Sequence, residues 1–189
     1  MKKSLGAKTF VYPAPVLILG SYDKAGMPNV MIAAWGGICC SKPPCVTVSI
    51  RKERHSFDSI SEHMAYTINI ASENYVSECD YFGIVSGKNK DKFADTGLTP
   101  VKSDLVDAPY ISEFPIVLEC KLIKTIDLGA HTQFIGEIVD TKADENILND
   151  KGLPDMGKLK PIIFCPEISV YYGLGDLLGK AFSIGKKFV

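Results

Sequence analysis

The segment VTVSIRKERHSFD, from Val46 to Asp58, joins three patterns without a break. Its first residues, VTVSI, are mostly β-branched and are typical of a buried strand. The strand pattern ends in a cationic cluster of Arg51, Lys52, Arg54 and His55. Ser56 is a suitable N-cap for the helical spacing that follows. Because helix N-termini attract anions, this order indicates a phosphate site, and a solvated, charged hairpin end is the equal alternative.

Strand patterns also dominate the flanking sequence. Apolar or alternating runs bounded by turn residues predict strands in PVLILGSYD, VMIAAWGGICC, AYTINIA, PIVLECKLIKTIDLG, HTQFIGEIVDTKAD and PIIFCPE. Helices are predicted for HSFDSISEHM and ENYVSECDYFGIVSG, with a helical turn near KNKDKFADTG and a long loop in LTPVKSDLVDAPYISEF. Strands in hairpin order with few short helices favour a mainly β, antiparallel barrel over a doubly wound parallel sheet. Nothing marks a domain boundary, so residues 1–189 are predicted to form a single domain.

The composition limits the classes of partner. The chain has 189 residues, 46% of them hydrophobic and 23% charged, and its formal net charge is -1. This near-neutral balance gives no support to a general role in binding nucleic acid or a membrane surface. No apolar stretch is long enough to span a bilayer, and MKKSLGAKTF lacks the apolar core of a secretory signal. We therefore expect a cytoplasmic protein.

The cysteines and the C-terminal tail give two further expectations. The cysteines are Cys39, Cys40, Cys45, Cys79, Cys120 and Cys165. Several lie in apolar runs, so most are expected to be small buried residues in a reducing compartment. The group of Cys39, Cys40 and Cys45 lacks a second ligand pair at zinc-like spacing, so no metal is expected. The apolar tail GDLLGKAFSIGKKFV is expected to pack on the body or on a second subunit.

Five other residues are candidates for a ligand site, and each has an ordinary structural alternative. Trp35 is the only Trp, and the small residues on both sides of it would let a flat ligand approach, although taken alone a core Trp is the better explanation. His131 follows Gly-Ala at a strand start and could face a cleft, although a lone His is usually structural. Taken alone, Asn29, Lys92 and Phe164 are better explained by a turn, a solvated loop and the core. Dinucleotide loops, P-loops and the common hydrolase motifs are absent.

An ordered set of segments resembles a known family. The segments are APVLILGSYDKAGMPNVMIAAWGGICCSKPPCVTVSIRKERHSFDSI, AYTINIA, SGKNKDKFADTGL and GAHTQFIGEIVD. Together they resemble the flavin reductase-like proteins of the FMN-binding split barrel, and within these the flavoredoxins. The likeness covers nearly the whole chain. It implies a Greek-key split barrel, a homodimer, and one FMN per subunit near the dimer interface.

The resemblance also implies which residues would bind FMN. Those along the isoalloxazine ring would be Asn29, Met31, Ile32, Ala33, Ala34 and Trp35. Those at and beside the phosphate would be Ser49, Ile50, Arg51, His55 and Ser56. Lys92 would approach the ring or the phosphate, and Phe164 would cover part of the flavin. His131 would be the catalytic residue, beside the ring and the nicotinamide site.

The activity that the resemblance implies is an oxidoreductase. FMN would take a hydride from NADH or NADPH and pass electrons to a small-molecule or protein acceptor. One alternative is an electron carrier that a protein donor reduces. Another is an FMN-binding module without catalytic activity.

Overall fold

The computed structural model describes residues 1–189 and contains twelve strands and four α-helices. The strands are β1 Ala14–Pro15, β2 Leu17–Tyr22, β3 Pro28–Ala33, β4 Gly36–Ser41, β5 Pro44–Ile50, β6 Ala65–Ile70, β7 Pro100–Lys102, β8 Pro109–Ile111, β9 Ile116–Asp127, β10 Thr132–Ala143, β11 Ile163–Cys165 and β12 Val170–Tyr172. The helices are α1 His55–His63, α2 Val76–Ile84, α3 Lys92–Thr96 and α4 Met156–Leu159. No helix has the length and apolar character that crossing a membrane requires.

Seven strands form one antiparallel sheet in the order β3-β2-β6-β9-β10-β5-β4. The strands β3 and β4 are at opposite ends of this order, yet only Ala34 and Trp35 separate them in the chain. Since an extended residue spans at most about 3.6 Å, the two edges of the sheet must lie side by side. The Ser49 amide donates to the Trp35 carbonyl at 2.7 Å, which extends the pairing of β4 with β5 into this short connection. The sheet is therefore a closed, split barrel, and the prediction of a mainly β, antiparallel fold with few short helices is confirmed.

Strand β2 separates two apolar cores because its alternate side chains point to opposite faces. Leu17 and Leu19 join the core inside the barrel, where Phe134 is fully buried. Ile18 faces the other way, into a second core that includes Phe82 of α2. This second core holds α2 and α3 against the outer surface of the barrel beside β3. The two helices are thereby fixed next to the strand that carries the predicted ring-contacting residues.

The structure differs from the sequence predictions in three places outside the site. The predicted long loop contains a hairpin, β7 with β8. Residues 172–189 are all exposed in the single chain, so the tail is not buried against the body, and packing on a second subunit stays a prediction. Cys45, Cys79 and Cys120 are buried as expected, but Cys39 and Cys40 are exposed.

Candidate functional site

A cavity of about 140 Å³ lies between β3, the start of α1, the end of α2 and the start of α3. Its lining is mostly polar and includes Asn29, Arg54, His55, Ser56, Gly87 and Lys92. Residues that are far apart in sequence thus meet at one point, where the cationic cluster after β5 turns into α1.

The first turn of α1 leaves two backbone donors without acceptors. The helix begins at His55, and the preceding residue, Arg54, makes no side-chain cap. The Arg54 amide donates to the Arg51 carbonyl, and the Phe57 amide donates to the Arg54 carbonyl, both at 3.0 Å. The amides of His55 and Ser56 between them have no protein acceptor. The positive end of the helix dipole adds to these free donors, so the turn is suited to an anion.

Ser56 is not the N-cap that its position in the sequence predicts. It lies inside the first turn, and its side chain is 1% exposed. The Asn29 amide donates to the Ser56 hydroxyl oxygen at 2.8 Å, and Asn29 is itself buried. Because the oxygen already accepts one bond, the hydroxyl hydrogen remains available as a further donor beside the two free amides.

Lys92 brings a buried cation to the same cavity. Its ammonium group donates to the Val30 carbonyl at 2.8 Å and to the Phe82 carbonyl at 2.9 Å. An ammonium group has three donors, so one remains for a ligand. Burial, together with the nearby Arg54 cation, lowers the pKa of Lys92 to about 8. A bound anion would compensate for both effects, because it favours the charged form.

Gly87 forms one wall of the cavity by the absence of a side chain. A Cβ atom at this position would come within 2.8 Å of both Asn29 Cγ and His55 Cδ2. Such an approach is far below van der Waals contact, so any larger residue would push against the two side chains that border the anion site. The sequence pattern predicted Gly87 only as a helix stop.

A second cavity, of about 300 Å³, adjoins the first, and Met31, Ile32 and Arg54 line both. One side is the seam between β3 and β4, and the other is the end of β5 with His131 from the turn before β10. More than half of its lining residues are apolar. A cationic pocket therefore adjoins a larger cavity that several apolar residues line, an arrangement that suits a flat ring with a phosphorylated tail.

The structure brings together every predicted site residue except Phe164. The first cavity contains Asn29, Met31, Ile32, His55, Ser56 and Lys92, and the second contains Met31, Ile32, Ala33, Ala34, Trp35, Ser49, Ile50, Arg51 and His131. Phe164 lines neither, and its ring packs on Tyr171 with 5.1 Å between centroids. The roles of all these residues in binding FMN stay predictions.

Two charged residues of the opening segment differ from what the cluster alone suggests. Arg51 is paired with Glu53 at 2.8 Å, and both side chains are more than half exposed. Lys52 is paired with Asp127 at 2.5 Å, at the end of β9. Arg54 belongs to the cationic cluster but not to the residues that the family resemblance implies; it has no carboxylate partner and lines both cavities. Its place in the cationic cluster was the available signal.

Comparison with known proteins assigns the chain to a family. The sequence profile of the flavin reductase like domain matches residues 9–165. The chain belongs to the flavin reductase-like family. Among curated relatives, an uncharacterized protein of Archaeoglobus fulgidus is 30% identical over 131 residues, which is 69% of this chain and 72% of that protein.

Solved structures narrow the likeness within the flavin reductase-like family. Flavoredoxin of Desulfovibrio vulgaris (Miyazaki F) is 55% identical with a TM-score of 0.94, over 98% of this chain and all of that one. Flavoredoxin from Methanosarcina acetivorans is 29% identical with a TM-score of 0.93, over the full length of both chains. Among the curated relatives compared by sequence, high molecular weight rubredoxin of Moorella thermoacetica is 33% identical over 102 residues, or 53% of this chain and 43% of that protein. The resemblance to the family, and to flavoredoxin within it, is confirmed.

Proposed function

We propose that the chain binds FMN across the two adjoining cavities and is an FMN-dependent oxidoreductase. The observation that carries this proposal is the uncapped first turn of α1. Free amides at His55 and Ser56, a free hydroxyl hydrogen and the remaining donor of Lys92 converge on one small cavity. A terminal phosphate would accept all of these donors. The membership in the flavin reductase-like family supports FMN as the molecule that bears the phosphate.

The protein's own residues would bind and orient the cofactor, and FMN would supply the hydride and electron chemistry. Arg54 and the α1 turn would hold the phosphate, and Asn29 would keep the Ser56 hydroxyl directed. The seam residues Ala34 and Trp35 would present a flat, largely apolar surface to the ring. Lys92 would add a positive charge that favours an electron-rich ligand in the same space.

The proposed electron source is NADH or NADPH. The second cavity is partly open to solvent and His131 lines it, so a second planar ligand would have access to it. A protein donor is the competing source. It is favoured by the 55% identity to a flavoredoxin and by the match to part of a high molecular weight rubredoxin.

We further propose a homodimer. The tail exposes several large apolar side chains in the single chain, with Leu177, Leu178 and Phe182 at 88%, 90% and 99% exposure. Such side chains are normally covered. A second copy would cover them, and it is also the simplest way for a residue outside both cavities, such as Phe164, to meet the flavin.

Reduction under anaerobic conditions tests the function. The purified chain is titrated with FMN by fluorescence, and the holoprotein is then mixed with NADH, NADPH or chemically reduced rubredoxin. Rapid bleaching by a nicotinamide is expected. Bleaching only by reduced rubredoxin would favour the electron carrier. A chain that takes up FMN and is bleached by neither would be a binding module, and one that fails to take up FMN would refute the proposal.

The substitution His131→Ala tests the catalytic residue. Because His131 lines the second cavity and lies outside the anion pocket, we expect hydride transfer to slow by about tenfold or more while FMN affinity changes by less than about threefold. Stopped-flow reduction and fluorescence titration measure the two effects. Equal losses of rate and affinity would show that His131 only supports the site.

A further inference from the structure

The hairpin of β4 and β5 places two cysteines face to face. Cys40 and Cys45 are direct partners in the antiparallel register. Opposite residues of such strands project to the same face with Cα atoms about 4.5–5.5 Å apart, which falls within the range of about 4.4–6.8 Å found in disulfides. The two thiols are therefore positioned to be joined with little movement of the backbone.

The two thiols differ in exposure. Cys40 is exposed, and its Sγ atom contacts the Lys42 carbonyl at 3.3 Å, whereas Cys45 is 4% exposed. An oxidant in solution would reach Cys40 first, and Cys45 would be the neighbour that resolves the product. Since β4 is an end strand of the sheet order and pairs in register with β5 alone, it is free to make the small adjustment that a bond requires.

Cys39 is the third thiol of the hairpin and is not equivalent to the other two. The register between β4 and β5 shifts between Ile38 and Cys40, so Cys39 has no partner residue opposite it. A bond between the adjacent Cys39 and Cys40 would force the peptide that joins them out of its ordinary geometry. Cys39 thus provides a matched control, because it is exposed like Cys40 but lacks the facing thiol.

We propose that Cys40 and Cys45 form an oxidisable dithiol, a modification site for hydroperoxides on the β4–β5 hairpin. The Cys40 thiolate attacks the O–O bond of hydrogen peroxide, becomes a sulfenic acid and releases hydroxide, which takes a proton to form water. The Cys45 thiolate then attacks the Cys40 sulfur, the S–O bond breaks, and a second water leaves as the disulfide forms. Two thiols are oxidised and one peroxide is reduced. The site is independent of the proposed FMN function.

Peroxide titration of the full chain tests this site. The reduced protein is treated with hydrogen peroxide near stoichiometric amounts and then alkylated. We expect two of the six free thiols to be lost, with a mass lower by two hydrogen atoms, and dithiothreitol to restore both. Trypsin does not cut between Lys42 and Pro43, so one peptide contains all three hairpin cysteines. The assignment is therefore made in a Cys39→Ser variant, in which the same loss is expected.

Single substitutions distinguish the proposed Cys40–Cys45 disulfide from other oxidation products. In Cys45→Ser, Cys40 should stop at the sulfenic acid and react with dimedone, and in Cys40→Ser no disulfide should form within the hairpin at the same dose. Circular dichroism verifies that both variants fold. A bond between Cys39 and Cys40, a bond between Cys40 residues of two chains, or oxidation of Cys40 while Cys45 keeps its thiol would each overturn the proposal.

Discussion

The helices α1 and α3 begin on the same cavity, yet their first turns are completed in opposite ways. At α3 the Asp91 carboxylate accepts bonds from the Phe93 and Ala94 amides, both at 3.1 Å, so the protein satisfies its own donors. At α1 no side chain does this, and the residue in the capping position is the cation Arg54. A self-capped turn is stable without a ligand, because its backbone donors already have acceptors. An uncapped turn with Arg54 and Lys92 beside it would be stabilised by an anion, and this difference is why we propose α1 as the binding helix and α3 as its support.

The largest loss of FMN affinity is expected when a side chain fills the cavity that α1 faces. In Gly87→Ala the new methyl group would displace Asn29 and His55, so we expect FMN affinity to fall by at least about 100-fold, or ~2.7 kcal/mol. Fluorescence titration measures this loss. Gly37→Ala is the matched control, because a Cβ atom at Gly37 meets nothing within 4 Å. Equal binding by the two variants would place the phosphate elsewhere.

Lys92 connects the two helices, since it is the first residue of α3 and faces the turn of α1. Lys92→Met should weaken FMN binding by about 1.5–3 kcal/mol, the range for a charge-assisted hydrogen bond. Below pH 8 the lysine is already charged, whereas above pH 8 the anion must bind together with a proton. Affinity should therefore fall by up to about tenfold per pH unit above pH 8.

The pH dependence supplies the control for this prediction. Lys92→Met should bind FMN with an affinity that stays flat between pH 7 and 9.5, and Lys88→Met, in the exposed loop before α3, should keep the wild-type dependence. A wild-type affinity that does not change across this range would remove Lys92 from contact with the anion.

The two arginines beside α1 sharpen the comparison further. Arg54 has no carboxylate partner, so Arg54→Ala should weaken FMN binding by about 1.5–3 kcal/mol. Arg51, to which the sequence alone would give this larger effect, must first leave Glu53, and Arg51→Ala should cost less than about 1.5 kcal/mol. Isothermal titration calorimetry compares the losses of FMN affinity in the two variants, with Lys52→Ala as the control. The reverse order would mean that the Arg51–Glu53 pair opens in the complex.

Removing the cap of α3 should have the smallest effect on binding. Asp91→Ala leaves the Phe93 and Ala94 amides without their acceptor, and we expect the free energy of unfolding to fall by about 1 kcal/mol. FMN affinity should change by less than about threefold, because Lys92 keeps its two carbonyl acceptors. Chemical denaturation with Asp155→Ala, which uncaps α4 in the same way, gives the comparison. A large loss of FMN affinity in Asp91→Ala alone would show that the cap serves the site.

The parts of the fold that the sequence predicted are those with a local cause. Alternation along runs such as Ala65–Ile70 predicts strands because the two-residue period belongs to the strand itself. The run VMIAAWGGICC, predicted as one strand, is divided at Ala34 and Trp35 into β3 and β4. The hairpin of β7 and β8 was missed because prolines and acidic residues conceal its short strands. The closure of the barrel depends on which distant edges meet, which no local pattern contains.

The same distinction explains the site. The cationic cluster and the helix start are adjacent in sequence, so the anion site could be predicted from one segment. Ser56 was assigned as an N-cap because the rule considers only its neighbours, whereas its actual partner, Asn29, is 27 positions away. Gly87 matters only through its closeness to Asn29 and His55. The proposed roles of Phe164 and of the tail would depend on a second copy, about which a single chain's pattern gives no information.

The seam at Ala34 and Trp35 has a consequence for the strength of the whole barrel. The same two residues join the outer edges of the sheet and form a wall of the second cavity. A ligand bound against them would hold the two edges of the barrel together. It would raise the free energy of unfolding in proportion to the logarithm of its concentration over its Kd. The midpoint of thermal melting should then serve as a gauge of how completely a preparation is loaded with flavin.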